Sequence, residues 1–303
     1  MAQPGGVTWR SEEAPNEGMD LMNGRIVVGV AGAPVTPRVI EWAVARSKAR
    51  AQPIELVSVI GGALGTVGEA DVITAALDAA QSMLDAHAES IRAAAPGVTV
   101  TTRVEAGNPV GVLVEASTHA ALLVIGSDFR GPQGPRVRGA HGIRIAAGSA
   151  CPVVVVPDFD VAGRSGIVVG LDGSETSEHA LAFAAAEADR LGEKLTAVGV
   201  WTPVVAPRNS LAVYPELYVT NMQAATEEVL ALALAGVAAD YPDLVVERVV
   251  RQGYPSHVIN EYAKGARLAV LGTHGRGALA RFLLGSISHE VLADLATVTA
   301  VVR

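Results

Sequence analysis

The strongest constraint on this chain is that it repeats itself. Arg25-Ile26-Val27-Val28-Gly29-Val30-Ala31-Gly32-Ala33 returns as Gly166-Ile167-Val168-Val169-Gly170-Leu171-Asp172-Gly173-Ser174. Val104-Glu105-Ala106-Gly107-Asn108-Pro109 returns as Val250-Arg251-Gln252-Gly253-Tyr254-Pro255, and Leu122-Leu123-Val124-Ile125-Gly126 as Leu268-Ala269-Val270-Leu271-Gly272. The offset grows from 141 to 146 positions, which places a small insertion in the middle of the second copy. Two copies of this length are too few and too long for a stacked solenoid, so they predict two homologous domains. We set these at 25–157 and 166–303, with a linker at 158–165. Before them lies a polar, Gly- and Pro-rich arm, 1–24, expected to be disordered, in which Trp9 is a candidate docking point. The arm lacks the apolar core of a secretory signal, and no apolar stretch of the chain reads as a membrane span.

Within each copy, short β-branched runs alternate with longer amphipathic segments. In the second copy the pattern predicts strands at 167–172, 194–201, 244–251, 268–272 and 298–302, and helices at 177–191, 215–239, 256–264 and 286–295. The first copy repeats this over 26–156. Such alternation implies right-handed βαβ crossovers, and therefore an α/β fold of two tandem open five-stranded, mainly parallel sheets with helices on both faces, Rossmann-like in kind. Near-continuous apolar strands agree, because strands of a parallel sheet are buried on both sides. Half of the chain is hydrophobic but only 4% is aromatic, which suits cores made of small and β-branched side chains.

A formal net charge of −8 argues against non-specific nucleic-acid binding, which needs a basic surface to displace counterions. The single cysteine, Cys151, sits in the run Cys151-Pro152-Val153-Val154-Val155-Val156 and reads as a buried structural thiol; with no intrachain disulfide available, a reducing, cytoplasmic setting is expected. The last strand of each copy, 153–156 and 298–302, falls at a sheet edge. Exposed apolar edges invite association. These two are expected to pair with each other or with another chain, making each chain an internal dimer that dimerises again, a homo-oligomer held through edge strands.

In an open parallel sheet, ligands bind beyond the carboxyl ends of the strands, where strand order reverses. If strand one neighbours strand four, the loops after Gly170 and Gly272 flank that crevice. The second of these runs Gly272-Thr273-His274-Gly275-Arg276-Gly277 and, after a short apolar stretch, Gly285-Ser286-Ile287-Ser288. Glycines let backbone N–H groups come close to an anion, and the start of the helix after Gly285 offers further unpaired N–H groups. This is a phosphate cradle in outline. It carries no Gly-Lys-Ser/Thr, and it does not follow the first strand, so it is neither a Walker A loop nor the dinucleotide fingerprint. The plain alternative is that the glycines are turns and Ser286 a helix cap.

Gly272-x-x-Gly275, then nine residues, then Gly285-Ser286 resembles the G-2x-G-9x-G-S/T signature of the ATP-binding universal stress proteins. Val168-Val169-Gly170-Leu171-Asp172-Gly173-Ser174 resembles that family's first strand and turn, and the resemblance spans Arg25 to Arg303. It implies that Leu171, Asp172, Gly173 and Ser174 form the turn under the nucleotide, with Asp172 accepting a hydrogen bond from adenine or ribose. Val200 and Leu271 would sandwich the purine. Gly272 and Gly275 would admit ribose and phosphates, and Gly285, Ser286, Ile287 and Ser288 would hold the phosphates. His274, Arg276 and Gly277 lie in the cradle loop, within reach of a terminal phosphate or its metal. The implied cofactor is ATP, with Mg²⁺ arriving on the phosphates. Taken singly, Asp172 reads first as a turn or helix-cap carboxylate, and Val200 and Leu271 as core residues.

The first copy departs from this pattern. Ala31 stands where the second copy has Asp172, Phe129 where it has Gly275, and Ala140 where it has Ser286, although Gly139 keeps its place. That half is expected not to bind ATP in the family manner. Its Arg130, Arg136, Arg138 and Arg144 are candidates for an anion or partner, or simply a solvated basic loop. Catalysis has little support. Hydrolysis needs a positioned water and charge clamps on the γ-phosphate, and neither a His-Glu-x-x-His nor a Gly-x-Ser-x-Gly motif occurs. The expected function is that of a nucleotide-binding regulatory protein of the stress response, acting on an unidentified protein partner. A slow ATPase or nucleotidyl-transferring enzyme using Asp172 and His274 is one alternative. A nucleotide-free interaction scaffold is the other.

Overall fold

A computed structural model describes residues 24–61, 70–127, 140–203, 216–275 and 284–303. Trp9 and nearly all of the 1–24 arm lie outside these, as do Phe129, Arg130, Arg136, Arg138, Gly139, Arg276 and Gly277. The first half supplies strands β1 (Ile26–Gly29), β2 (Ile54–Ile60), β3 (Val100–Ala106), β4 (Leu122–Gly126) and β5 (Val153–Val156). Its helices are α1 (Thr36–Arg50), α2 (Ala70–Ala94), α3 (Pro109–Ala116) and α4 (Ala140–Gly148). The second half supplies β6 (Ile167–Leu171), β7 (Leu195–Trp201), β8 (Val246–Gln252), β9 (Leu268–Gly272) and β10 (Val298–Val302). Its helices are α5 (Glu175–Leu191), α6 (Glu216–Leu234), the one-turn α7 (Val237–Asp240), α8 (Pro255–Ala263) and α9 (Ser286–Ala293).

The two expected five-stranded sheets are joined into one of ten strands, in the order β3-β2-β1-β4-β5-β10-β9-β6-β7-β8. Every pairing is parallel except that of β5 with β10, where Ala300 faces Val154. Those two residues occupy the same place in the two copies, so a pseudo-twofold axis passes between them. Of the two partners foreseen for the fifth strands, the one observed is each other, which leaves neither edge free for a second chain. The open edges are β3 and β8, which carry Arg103, Glu105, Glu247, Arg248 and Arg251. Charges on an edge strand oppose the addition of further strands.

Local rules explain most helix limits. Ser174 caps α5, accepting from the Ser177 N–H at 3.3 Å, so the helix begins two residues before the predicted start. Gly192 ends it with φ 63° in the left-handed region. Its buried face is Ala180, Ala184, Ala185 and Ala188, small enough to let the helix lie close on the sheet. Helix α6 approaches β7 even more closely. A Cβ on Gly199 would lie 2.4 Å from Leu230 Cδ1 and 2.9 Å from Thr226 Cγ2, so only glycine fits there. The single helix predicted over 215–239 is broken after Leu234 and resumes at Val237. The stretch Glu216–Asp240 is also long and apolar enough to cross a membrane by length and composition, which the sequence reading passed over. Here it lies along the sheet, burying Leu230, Leu234 and Val237 in the core that both halves share.

Helices α1 and α5 meet across the pseudo-twofold axis. Arg46 and Glu187, which are equivalent positions 141 residues apart, form an ion pair there. Glu187 is 1% exposed, and Arg190 at 2.7 Å and Arg50 at 3.7 Å also reach it. The Arg46 guanidinium lies 5.0 Å over the Phe183 ring. Burial lowers its pKa to about 10 against the pull of Glu187, so it remains cationic at neutral pH. On the other face of the sheet, Leu292 and Leu295 join Ile145, Ala146, Cys151 and Val153. Cys151 is buried there with its thiol pushed up to about 12, a structural residue as read.

Candidate functional site

Strand β1 neighbours β4, and β6 neighbours β9, so each half has its strand-order reversal where the sequence argument requires it. In the second half a cavity of about 690 Å³ opens at that point, beyond the carboxyl ends of β6, β7 and β9. Of the residues proposed from sequence, Leu171, Asp172, Val200, Leu271, Gly272, His274, Gly275, Gly285, Ser286, Ile287 and Ser288 line it. Gly173 and Ser174 do not. They form the turn beneath Asp172, where Gly173 adopts φ 75°.

That turn engages Asp172. Its Oδ1 accepts from the Ser174 N–H at 3.0 Å and from the Ser174 hydroxyl at 2.6 Å. The turn reading and the ligand reading of Asp172 are thus compatible, one oxygen serving the turn while the other faces the cradle. A Cβ on Gly275 would stand 2.6 Å from Asp172 Oδ2, so any larger residue here must displace the carboxylate or the loop. Asp172 is the one carboxylate among the described residues of the lining.

The cradle loop is tied at both ends. The Thr176 hydroxyl donates to the His274 carbonyl, and the Gly285 N–H donates to the Thr273 carbonyl at 2.7 Å. Gly285 is the N-cap of α9 and provides no side-chain cap. The first N–H groups of that helix are therefore free of a side-chain acceptor at the cavity wall, an arrangement that favours an anion. The Ser286 side chain is exposed, whereas Ser288 is buried and its hydroxyl donates to the Gly272 carbonyl at 2.6 Å. Ser288 lines the cavity, but its proton is engaged in fastening α9 to the end of β9.

The sequence reading did not include the far wall. Trp201, Met222, Ala225, Thr226 and Val229 complete an apolar slot with Val198 and Val200. The Trp201 indole N–H donates to Gln223 Oε1 at 3.0 Å, which holds the ring in place. The signal was present in the sequence: a glycine inside a strand, Gly199, marks a close helix approach, and 222, 225, 226 and 229 share one helical face.

His274 is partly buried, with Nδ1 3.1 Å from Thr273 Oγ1 and with Nε2 shielded and without a hydrogen-bond partner among the described residues. Burial, aided by the charge of Arg303, lowers its pKa below the ordinary histidine value. The imidazole is neutral at pH 7, and the folded protein binds this proton less readily than the unfolded chain. Its contribution to stability is therefore complete above the unfolded value of about 6.5 and is lost as pH falls from there towards the lower folded value. Thermal melts at about pH 7.5 and about pH 5 should show a smaller acid-induced drop in His274→Asn than in the wild type. An equal drop would place the acid sensitivity elsewhere.

The corresponding turn of the first half has Ala31 for Asp172 and Val35 for Thr176, so neither the carboxylate nor the hydroxyl tie exists there. Met83 of α2 also stands over it, with Sδ 3.3 Å from where a Cβ on Gly32 would lie.

Comparison with known proteins agrees with this architecture. The model of the universal stress protein family matches residues 22–157 and again 164–303. A universal stress protein of Mycobacterium tuberculosis is 35% identical over 199 residues, which cover 64% of this chain and 66% of that protein. One from Mycolicibacterium smegmatis is 32% identical over 293 residues, covering 92% of this chain and 96% of the relative. The crystal structure of a universal stress protein from Archaeoglobus fulgidus superposes with a TM-score of 0.67 at 18% identity, covering 93% of this chain and 97% of that one. With the repeat, the sheet order and the two family matches in agreement, the chain belongs to the universal stress protein family.

Proposed function

We propose that the second half binds an adenine nucleotide, ATP by the form of its signature, and that the protein acts as a regulatory stress-response protein through this bound state. The observation that carries the reading is the pairing, in one cavity, of an apolar slot with the uncapped N-terminus of α9. A purine fits between Val200 and Leu271. Phosphates fit against the N–H groups of Ser286, Ile287 and Ser288, over the glycine backbone at 272 and 275. The described lining has a single carboxylate, so Mg²⁺ would be brought by the phosphates and completed by water. Hydrolysis is not part of the proposal; the slow-ATPase reading through Asp172 and His274, both in the lining, is tested by phosphate release in His274→Ala. The domains we assign are 25–157 and 166–303, and the buried, neutral thiol of Cys151 suits a reducing cytoplasm. Any further dimer must use a surface other than the fifth strands.

The test is mass spectrometry of the small molecules released on denaturing the purified, unheated protein, followed by titration with ATP. About one adenine nucleotide per chain supports the proposal; two would show that the first half also binds, despite Ala31. None, together with no binding of added ATP, would favour the interaction-scaffold reading.

A further inference from the structure

Three residues outside the signature link the start of α8 to α9. The Ser256 hydroxyl donates to Glu290 Oε2 at 2.7 Å, and the Tyr254 hydroxyl donates to Glu290 Oε1 at 3.0 Å. Ser256 is 2% exposed, Glu290 is half-buried and Tyr254 is 45% exposed, so the Ser256 bond is the better protected of the two. Glu290 lies on α9 one turn beyond the N–H groups that face the cavity, and Pro255, between the two hydroxyl residues, is itself part of the cavity wall. Ser288 fastens the same helix to Gly272. The first turns of helix α9 are thus held at the end of β9 and at the start of α8, and its C-terminal end by the Asn260 amide, which donates to the Asp294 carbonyl at 2.8 Å.

The first half offers an internal comparison. Equivalent positions there are Asn108 for Tyr254, Val110 for Ser256, Gly142 for Ser288 and Arg144 for Glu290. Both hydroxyl donors, the carboxylate and the second fastening are all replaced in the copy that also lacks Asp172. The clasp occurs with the signature and is missing without it. A hydrogen bond from a hydroxyl to a carboxylate is charge-assisted and directional, which suits it to setting the angle of a short helix.

We propose that Glu290, held by Ser256 and Tyr254, is a positioning residue that aims the N-terminus of α9 at the phosphates. This rests on the nucleotide reading of the cavity. Its effect should fall on the phosphate end of the ligand and not on the base. The full-length protein is titrated calorimetrically with ATP and, separately, with adenosine, and its melting temperature is recorded. Ser256→Ala and Glu290→Ala are expected to weaken ATP about 10-fold while adenosine changes less than about 2-fold, and Ser256→Thr should restore ATP affinity. An equal loss for both ligands would show that the clasp only supports the fold. Tighter ATP binding in Glu290→Ala would show that the carboxylate merely repels phosphate, and unchanged binding that it does not position the helix. Each of these results overturns the inference while leaving the nucleotide site standing. Wild-type protein that binds neither ligand removes the site and the inference together.

Discussion

Gly275→Phe is expected to weaken ATP binding by at least about 100-fold while leaving the chain folded. Any side chain at 275 begins with a Cβ 2.6 Å from Asp172 Oδ2, so either the carboxylate or the cradle loop must give way. A ring continues into the space that the ribose and phosphates would occupy. Gly275 is exposed and lies outside the hydrophobic core, so the substitution should move the melting temperature by only a few degrees. The first half already carries Phe129 at the corresponding place, which makes the variant a copy of that half's chemistry in the other. Calorimetric titration with ATP measures the loss. Affinity within about 3-fold of wild type would mean that phosphates do not pass over 275, and the cradle reading would be wrong.

Glu187→Ala should be the most destabilising single change on the pseudo-twofold axis, costing about 3–5 kcal/mol. The carboxylate is 1% exposed and receives Arg46, while Arg50 and Arg190 lie within ion-pair distance. Its removal leaves buried positive charge with no counter-charge in its place, and that uncompensated charge is the source of the cost. Replacing both Arg46 and Glu187 with Met should recover only part of that loss, since the apolar pair fills the space of Arg46 and Glu187 while Arg50 and Arg190 still lack their counter-charge. Urea unfolding of the two variants checks both statements. If Glu187→Ala costs less than about 1 kcal/mol, water reaches the pair and the halves are not locked there.

The features legible in the sequence are those that depend on near neighbours. The period of apolar residues predicted the strands and helices, and the repeat predicted two equivalent halves. The glycines at 272, 275 and 285 marked the loop that borders the cavity, because a missing Cβ has the same local meaning in any fold. Departures came where a distant group intervened. The helix predicted over 215–239 is the exception, since it breaks at Ala235 and Gly236, where a glycine weakens a helix locally. The Ser288 hydroxyl, read as a phosphate ligand, donates to Gly272, because α9 lies against the end of β9. The wall formed by Met222, Ala225, Thr226 and Val229 was read only as a helix face, since its place over the cavity depends on how closely Gly199 admits α6.

By itself, then, the sequence determined the order of elements, the α/β class and the location of the crevice, all consequences of short-range periodicity and of strands apolar on both faces. Tertiary structure alone decided that the fifth strands pair with each other, and that Arg46 finds Glu187 rather than solvent. It also decided that Tyr254 and Ser256 reach Glu290. Each of these joins residues far apart in the chain, and such partners are chosen by sheet order and by the angle at which helices cross the sheet, neither of which a local pattern of residues encodes.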